Sequence, residues 1–208
     1  MDVPVLETSR LRVRPFEMDD LDAVHQLLDV DLATSPLGAD VITREQRRRW
    51  LQWSVLSYGQ LAGLHQPPFG DRAIVLRQTD QLIGACGFVP CLMPFGQLPG
   101  FDPASEGETD GLNTMELGLF WAVSPAHQRQ GYGSEAGRAL IDFAFARLNA
   151  KRIVADTAHG NLASIAVMRK LGMRVLHNPL SEPPWMQVVG VLNHPRHPEG
   201  GRISARAS

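Results

Sequence analysis

Hydrophobic positions along the chain switch between a period of two and a helical period, and the switches mark out its elements. Leu11 to Phe16 alternates apolar and basic residues, which predicts a short half-buried strand closed at Pro15. Asp19 and Asp20 precede Leu21, Val24, Leu27 and Leu28, so a capped helix is expected next. Thr43 with Gln46 forms a capping box for a second helix that buries Trp50, Leu51 and Val55, with Trp53 a further candidate. Arg44, Arg47, Arg48 and Arg49 lie on its first turns, and a solvated polar face is the expectation for them. Residues 59–71 are punctuated by glycine and proline and read as a loop. Two apolar runs, Arg72 to Arg77 and Leu82 to Val89, then form a hairpin around a polar turn. Gly84 and Gly87 inside the second run point to a bulge or a close neighbour.

From Pro90 to Asn113 the periodicity disappears. The expectation is a solvated insertion, with a lid or partner surface as the functional alternative. An apolar strand from Glu116 to Val123 stops at Ser124-Pro125, and a glycine turn leads into a helix running from Ser134 to Asn149. A strand at Arg152 to Asp156 follows. Asn161 caps a helix from Leu162 to Leu171, which Arg169, Lys170 and Gly172 suit as its C-terminal end. Met173 to Leu176 and Met186 to Leu192 are the last strands. The fold class is therefore α/β of the mixed kind, a mixed central sheet flanked by helices with a long loop inserted before the central strand. Residues 1–193 are expected to form a single domain and 194–208 a flexible polar tail.

Composition narrows the partners more than the fold. Of 208 residues, 44% are hydrophobic and 20% charged, a globular rather than a disordered balance. A formal net charge of −2 gives no general attraction to nucleic acid or to an anionic membrane, and neither is expected as a partner. No window resembles a signal or a membrane span. Cys86 and Cys91 flank Pro90 in apolar surroundings, which suits buried free thiols and a cytoplasmic location. His194 and His197 have no third ligand beside them, so no metal site is expected.

The chemistry concentrates at Gln128-Arg129-Gln130-Gly131-Tyr132-Gly133-Ser134. A strand, a glycine turn and a helix N-terminus present backbone N–H groups without intrahelical acceptors to an anion, and glycine admits a phosphate close to the backbone. A triphosphate-binding loop would need Lys followed by Ser or Thr after the last glycine, but Ser134-Glu135 stands there. The run from Gly131 to Ala136 formally matches the dinucleotide fingerprint, with Asp156 as its acid. The gap between Pro125 and Gly131 and the short chain after Asp156 argue against that reading.

The same segment matches the Q/R-x-x-G-x-G/A motif of the GNAT acetyltransferase superfamily. Leu6-Glu7-Thr8-Ser9-Arg10-Leu11 with Arg14-Pro15, Glu116-Leu117-Gly118-Leu119, and Gly131 to Ala136 resemble the ribosomal-protein N-terminal alanine acetyltransferase branch. Asn161-Leu162-Ala163-Ser164 followed by Lys170-Leu171-Gly172-Met173 resembles the family's N-x-x-S and K-L-G-F signature. The resemblance covers about residues 6–176. It implies direct transfer of acetyl from acetyl-coenzyme A to a primary amine, on a protein N-terminus or a small molecule, without a metal and with a homodimer left open. It also implies that the amides of Arg129 to Ser134 hold the pyrophosphate and that Gln128 and Arg129 add side-chain donors. The backbone of Phe120, Trp121, Ala122 and Val123 would pair with the pantetheine arm, which Asn161 would also touch. Glu116 is the candidate base and Ser164 the candidate thiolate acid or orienter. Where many relatives carry a tyrosine as general acid this chain has Met168, which leaves a non-catalytic coenzyme A-binding module as the alternative.

Overall fold

The computed structural model describes residues 4–33, 41–101 and 111–196, and the chain divides into two compact units. The first comprises residues 1–90 and 118–148, the second 91–117 and 149–208. Two strands pass from one unit into the other along the chain: β4 (Leu82–Met93) and β5 (Thr114–Val123). The chain is of the mixed α/β class expected.

In the first unit β1 (Leu6–Glu7), β2 (Leu11–Pro15), β3 (Gly70–Leu76) and the start of β4 pair antiparallel in that order. The glycines of β4 mark both features anticipated for them. The register slips between Ile74 and Val75, and a Cβ at Gly84 would lie 2.4 Å from the Ala122 carbonyl oxygen of β5. A Cβ at Gly87 would lie 2.1 Å from the Gly70 oxygen, so side chains are excluded at both positions. Phe16, Val24, Leu27, Leu51, Ala73, Val75 and Ala122 bury one face of these strands against α1 (Leu21–His25), its continuation Gln26–Asp31, and α2 (Arg44–Gly63). Each fully buried Phe, Leu or Val side chain among them stabilises by about 1.5–3 kcal/mol.

The capping box is present: the Gln46 N–H donates to Thr43 Oγ1 at 3.3 Å and the Thr43 N–H donates to Gln46 Oε1 at 2.9 Å. Four expectations need correction. The second helix continues through residues 59–63, because Gly59 and Gly63 lie in open space and cost only helix propensity. Trp53 is 64% exposed, whereas Leu51 is fully buried. Arg47 is not on a solvated face. It is buried, with Nε and Nη2 each donating to Asp29 at 2.8 Å. Asp29 also accepts from the Ile42 N–H at 3.0 Å and bonds His25 Nδ1 at 2.9 Å. Burial would raise the Asp29 carboxyl, but hydrogen bonds from Arg47, Ile42 and His25 outweigh it and hold it at about 2. Asp20 does not cap α1 either: it reaches back to the Glu17 N–H at 2.8 Å and takes a bidentate pair from Arg14 at 2.7 Å on each oxygen.

In the second unit β6 (Arg152–Thr157), β8 (Val188–Asn193) and β7 (Arg174–His177) pair antiparallel in that order. Here the solvated-insertion reading of the 90–113 stretch fails for its first half. β4 extends to Met93, and Phe95, Leu98 and Phe101 are buried with Cys91, Val154, Met186 and Val189. The Phe95 and Phe101 rings stack at 4.7 Å. A run without periodicity is hidden from pattern reading even when it folds back as core. Of the expected tail, His194 is buried, its N–H donating to the Lys151 oxygen at 2.9 Å; residues 197–208 lie outside the described part.

Removing one partner of the buried Arg47–Asp29 pair leaves an uncompensated charge. Asp29→Asn should therefore cost about 3–5 kcal/mol in urea unfolding at neutral pH. The Asp29 contribution is present above the unfolded carboxyl value of 3.8 and fades as pH falls through about 2, so the cost should shrink in acid. Asp71 has the opposite sign. It shares a β3 face with Ala73 and Val75, and burial pushes its carboxyl up to about 6. The stabilisation tied to its protonated form is complete below 3.8 and lost as pH rises through about 6. Asp71→Asn should raise stability by about 1–3 kcal/mol at pH 8 and change little at pH 4. A wild-type midpoint at pH 8 would mean that the ionised carboxylate is compensated.

Candidate functional site: an anion turn and a carboxylate-bearing strand face

The turn that follows β5 lies wholly in the first unit. Pro125–His127 form one helical turn, and Gln128 Nε2 then reaches back to the Val123 oxygen at 2.9 Å while Gln130 Nε2 reaches the Ala126 oxygen at 3.2 Å. These amides fasten the turn to its own stem. Arg129 adopts φ 60° and Gly131 φ 86°, two left-handed residues that reverse the chain into α3 (Tyr132–Arg147). Gly131 caps that helix. The first intrahelical bond runs from the Glu135 N–H to the Gly131 oxygen at 3.0 Å, so the N–H groups of Tyr132, Gly133 and Ser134 open the helix without intrahelical acceptors. Ser134 Oγ donates to the Gly131 oxygen at 2.9 Å and is buried, which leaves its backbone as the group facing an anion.

The β5 residues singled out from the sequence alternate across the strand. Ala122 belongs to the apolar cluster with Phe120 packed against it, while Trp121 and Val123 lie 3.6 and 3.7 Å from where a Gly133 Cβ would stand. Their side chains are occupied by packing, so any ligand role falls to the backbone. On the outer side of the turn Arg10 sits 4.4 Å over the Tyr132 ring and ion-pairs with Glu135 at 2.6 Å. Thr8, which like Arg10 comes from the N-terminal motif, donates its hydroxyl to the same carboxylate at 2.6 Å.

The second unit holds the remaining candidates. Glu116 is paired with Arg152 through one oxygen at 2.7 Å, both side chains nearly buried, and the Arg152 guanidinium lies 4.1 Å over the Phe101 ring. Arg152, Val154 and Asp156 share one face of β6 by strand alternation. Asp156 stays exposed, yet local desolvation raises its carboxyl above its ordinary value, opposed by its own backbone N–H. Asn161 Oδ1 accepts from the Ser164 N–H at 3.1 Å and caps α4 (Leu162–Lys170), as its spacing indicated. Met168 is fully buried, and its Cγ would lie 3.0 Å from a Cβ at Gly190. A tyrosine there would need a different core.

The chain's two tyrosines are otherwise engaged. Tyr58 donates to the Asp71 carbonyl and accepts from the Phe16 N–H at 3.0 Å, and burial pushes its hydroxyl up to about 12. Tyr132 lies under Arg10. Burial also pushes the Cys86 and Cys91 thiols up to about 12, which makes poor nucleophiles of both. Asp102, Glu106, Glu108 and Asp110 lie outside the described residues. Among the described residues no group of three or more His, Cys, Asp or Glu side chains could hold a metal ion, and no helix is long and apolar enough to cross a membrane.

Sequence reading missed the counter-ions. In the sequence Arg152 reads only as the start of a strand, and Arg10 only as part of a motif. Their carboxylates stand far away in the chain, and no local signal joins them.

Comparison with known proteins gives consistent matches. The chain is 28% identical over 173 residues to the uncharacterised N-acetyltransferase YnaD of Bacillus subtilis (strain 168), covering 81% of this chain and 82% of that one. The crystal structure of an acetyltransferase from Agrobacterium tumefaciens str. C58 superposes with a TM-score of 0.66 at 23% identity, over 93% of this chain and 96% of that one. RimL, a ribosomal alpha-N-protein acetyltransferase solved in complex with coenzyme A, gives 0.61 at 17% identity, over 90% and 96%. The model of the acetyltransferase (GNAT) domain matches residues 10–174, and the chain belongs to that acetyltransferase family.

Proposed function

We propose that the protein moves the acetyl group of acetyl-coenzyme A directly to a primary amine, with no covalent enzyme intermediate. The observation that carries this reading is the start of α3, where a left-handed Gly131 leaves the N–H groups of Tyr132, Gly133 and Ser134 open. Backbone donors on a helix N-terminus suit a pyrophosphate without any dedicated cation. Arg129, exposed and left-handed beside them, adds a charged donor. The RimL complex shows that a protein of this fold takes coenzyme A. In the pantetheine role, the backbone of Phe120 to Val123 supplies strand-like hydrogen bonds. Asn161 supplies a side-chain N–H, since its oxygen is already engaged in capping α4.

In the transfer itself the amine nitrogen, having lost its proton, forms a bond to the acetyl carbonyl carbon. The carbon–sulfur bond then breaks and the thiolate takes up a proton. Glu116 is the proposed proton acceptor: Arg152 occupies one of its oxygens at 2.7 Å, and the second oxygen can receive the proton directly or through a water. Ser164, half-buried in the first turn of α4, is the proposed orienter of the leaving sulfur. The acceptor is an amine on a protein N-terminus or a small molecule. The acidic residues between 102 and 110 favour a cationic one.

Thiol release from acetyl-coenzyme A across a panel of amines and N-terminal peptides should identify at least one acceptor, and calorimetry should show coenzyme A binding in its absence. Binding without thiol release on any amine would overturn transfer; failure to bind would overturn the coenzyme A site. For the proton acceptor, Glu116→Gln should cut turnover by about 10²-fold and flatten its rise with pH. Asp156→Asn on the neighbouring strand is the control. If that variant flattens the profile while Glu116→Gln does not, the role belongs to Asp156.

A further inference from the structure

Two motifs that are 120 or more residues apart in the chain meet at the phosphate turn. Glu135 is the acidic residue of the first turn of α3, and its carboxylate is enclosed by the N-terminal segment. It accepts from Thr8 Oγ1 at 2.6 Å, Ser9 Oγ at 3.2 Å, the Arg10 N–H at 3.0 Å and Arg10 Nε at 2.7 Å, and Arg10 Nη2 approaches at 2.6 Å. Arg10 makes one further bond, from Nη1 to the Gln130 carbonyl oxygen at 3.0 Å, and its guanidinium covers the Tyr132 ring. One side chain therefore ties residues 130, 132 and 135.

Each tie has a consequence for an anion. A carboxylate on the first turn of a helix is favourable to the helix alone, but it opposes a second anion at the same N-terminus. Arg10 is the counter-ion that removes this opposition. The bond to the Gln130 oxygen acts on geometry. In a trans peptide the C=O and the following N–H point in opposite directions, so drawing the Gln130 oxygen towards Arg10 aims the Gly131 N–H away from it. Exposed ion pairs are ordinarily weak. This one differs in that Arg10 Nε and Nη2 both converge on Glu135 Oε2 while Thr8, Ser9 and the Arg10 N–H hold Oε1, and Glu135 is only 17% exposed. Burial would raise the Glu135 carboxyl, yet the hydrogen bonds from Thr8 and Arg10 hold it below its usual range.

We infer that Arg10 is a positioning residue for the coenzyme A pyrophosphate, neutralising Glu135 and orienting the Gly131 peptide through Gln130. The inference rests on the coenzyme A reading of this turn. It also gives a physical reason for the pairing of the two motifs: the N-terminal Thr-Ser-Arg run and the Glu of the helix start form one device.

Steady-state kinetics and calorimetry with coenzyme A on the full chain test it. Arg10→Gln should raise the KM for acetyl-coenzyme A and the Kd for coenzyme A about tenfold or more, with kcat and the acceptor KM within about twofold. Adding Glu135→Gln should recover several-fold of that loss, because the uncompensated carboxylate is gone even though the latch is wholly broken. A purely structural role predicts the reverse, a double variant at least as impaired as the single one. Arg10→Lys, which keeps the charge and loses the separate donor to the Gln130 oxygen, should fall between wild type and Arg10→Gln and remains informative if Arg10→Gln folds poorly. Wild-type coenzyme A affinity in Arg10→Gln, or a double variant no tighter than the single, overturns the inference while leaving the coenzyme A site standing. A wild-type protein that does not bind coenzyme A overturns the underlying reading instead.

Discussion

The first unit depends on how closely backbone can approach backbone beside β5. The Ala122 carbonyl lies where a Gly84 side chain would begin, and the Gly70 carbonyl lies where one at Gly87 would. The bare Gly87 admits the Gly70 backbone of β3, and the bare Gly84 lets β5 sit tightly enough for the Ser124 N–H to donate to the Ile83 oxygen at 2.8 Å. That bond ends the strand at Ser124 and sets the point from which the turn must start. The turn then has a fixed task, to reverse the chain and begin a helix with its N–H groups open, and it meets it with left-handed residues at 129 and 131. Arg129 in such a conformation carries the ordinary cost of a non-glycine residue there. The glutamine amides at 128 and 130 offset that cost by fastening the loop to its stem.

Among the shielded carboxylates that the described residues pair with an arginine, three differ in what the pairing serves. Asp29 with Arg47, Glu135 with Arg10 and Glu116 with Arg152 are each a shielded carboxylate held by an arginine, at 2.6–2.8 Å. A guanidinium suits this because it is always charged and offers a planar fork. The contexts differ, however. Asp29 gathers the α2 N-terminus and the Ile42 backbone, a purely architectural task. Glu135 stands on the helix that would take the anion, and Glu116 keeps an oxygen outside its pair. The same pairing therefore serves stability in one case and the candidate chemistry in two.

What could be read from the sequence divides along the distance over which each cause acts. The Thr43–Gln46 box, the Asn161 cap and the glycine turn are set within a few residues, and each stands where its pattern placed it. Arg47 defeated the same reading because its partner lies on another element, and a helix-start arginine with an acidic partner looks like any solvated one. Phe95, Leu98 and Phe101 lacked period because they enter the core from a nearly structureless path, where neither a strand nor a helix imposes spacing. The site divides the same way. Its glycine turn, the candidate anion site, is local and legible, whereas the counter-ions of its carboxylates are not.

Met168 shows how a departure from a family pattern can be structural before it is chemical. Gly190 on β8 has no side chain, and Met168 and the Met173 sulfur occupy the space at 3.0 Å from where one would be. The thioethers fill a gap of irregular shape, for which methionine is suited. A phenol at 168 would carry a hydroxyl into that packing and need a partner there. The second unit therefore has a core reason to lack the tyrosine, independent of whether the reaction needs an acid. A coenzyme A thiolate is a far better leaving group than an amide nitrogen, since a thiol is much the stronger acid, so its departure does not demand full protonation in the transition state. On the proposed transfer, orientation by the Ser164 hydroxyl with protonation from solvent would serve the departing thiolate, and the work would fall on deprotonating the amine, the role proposed for Glu116.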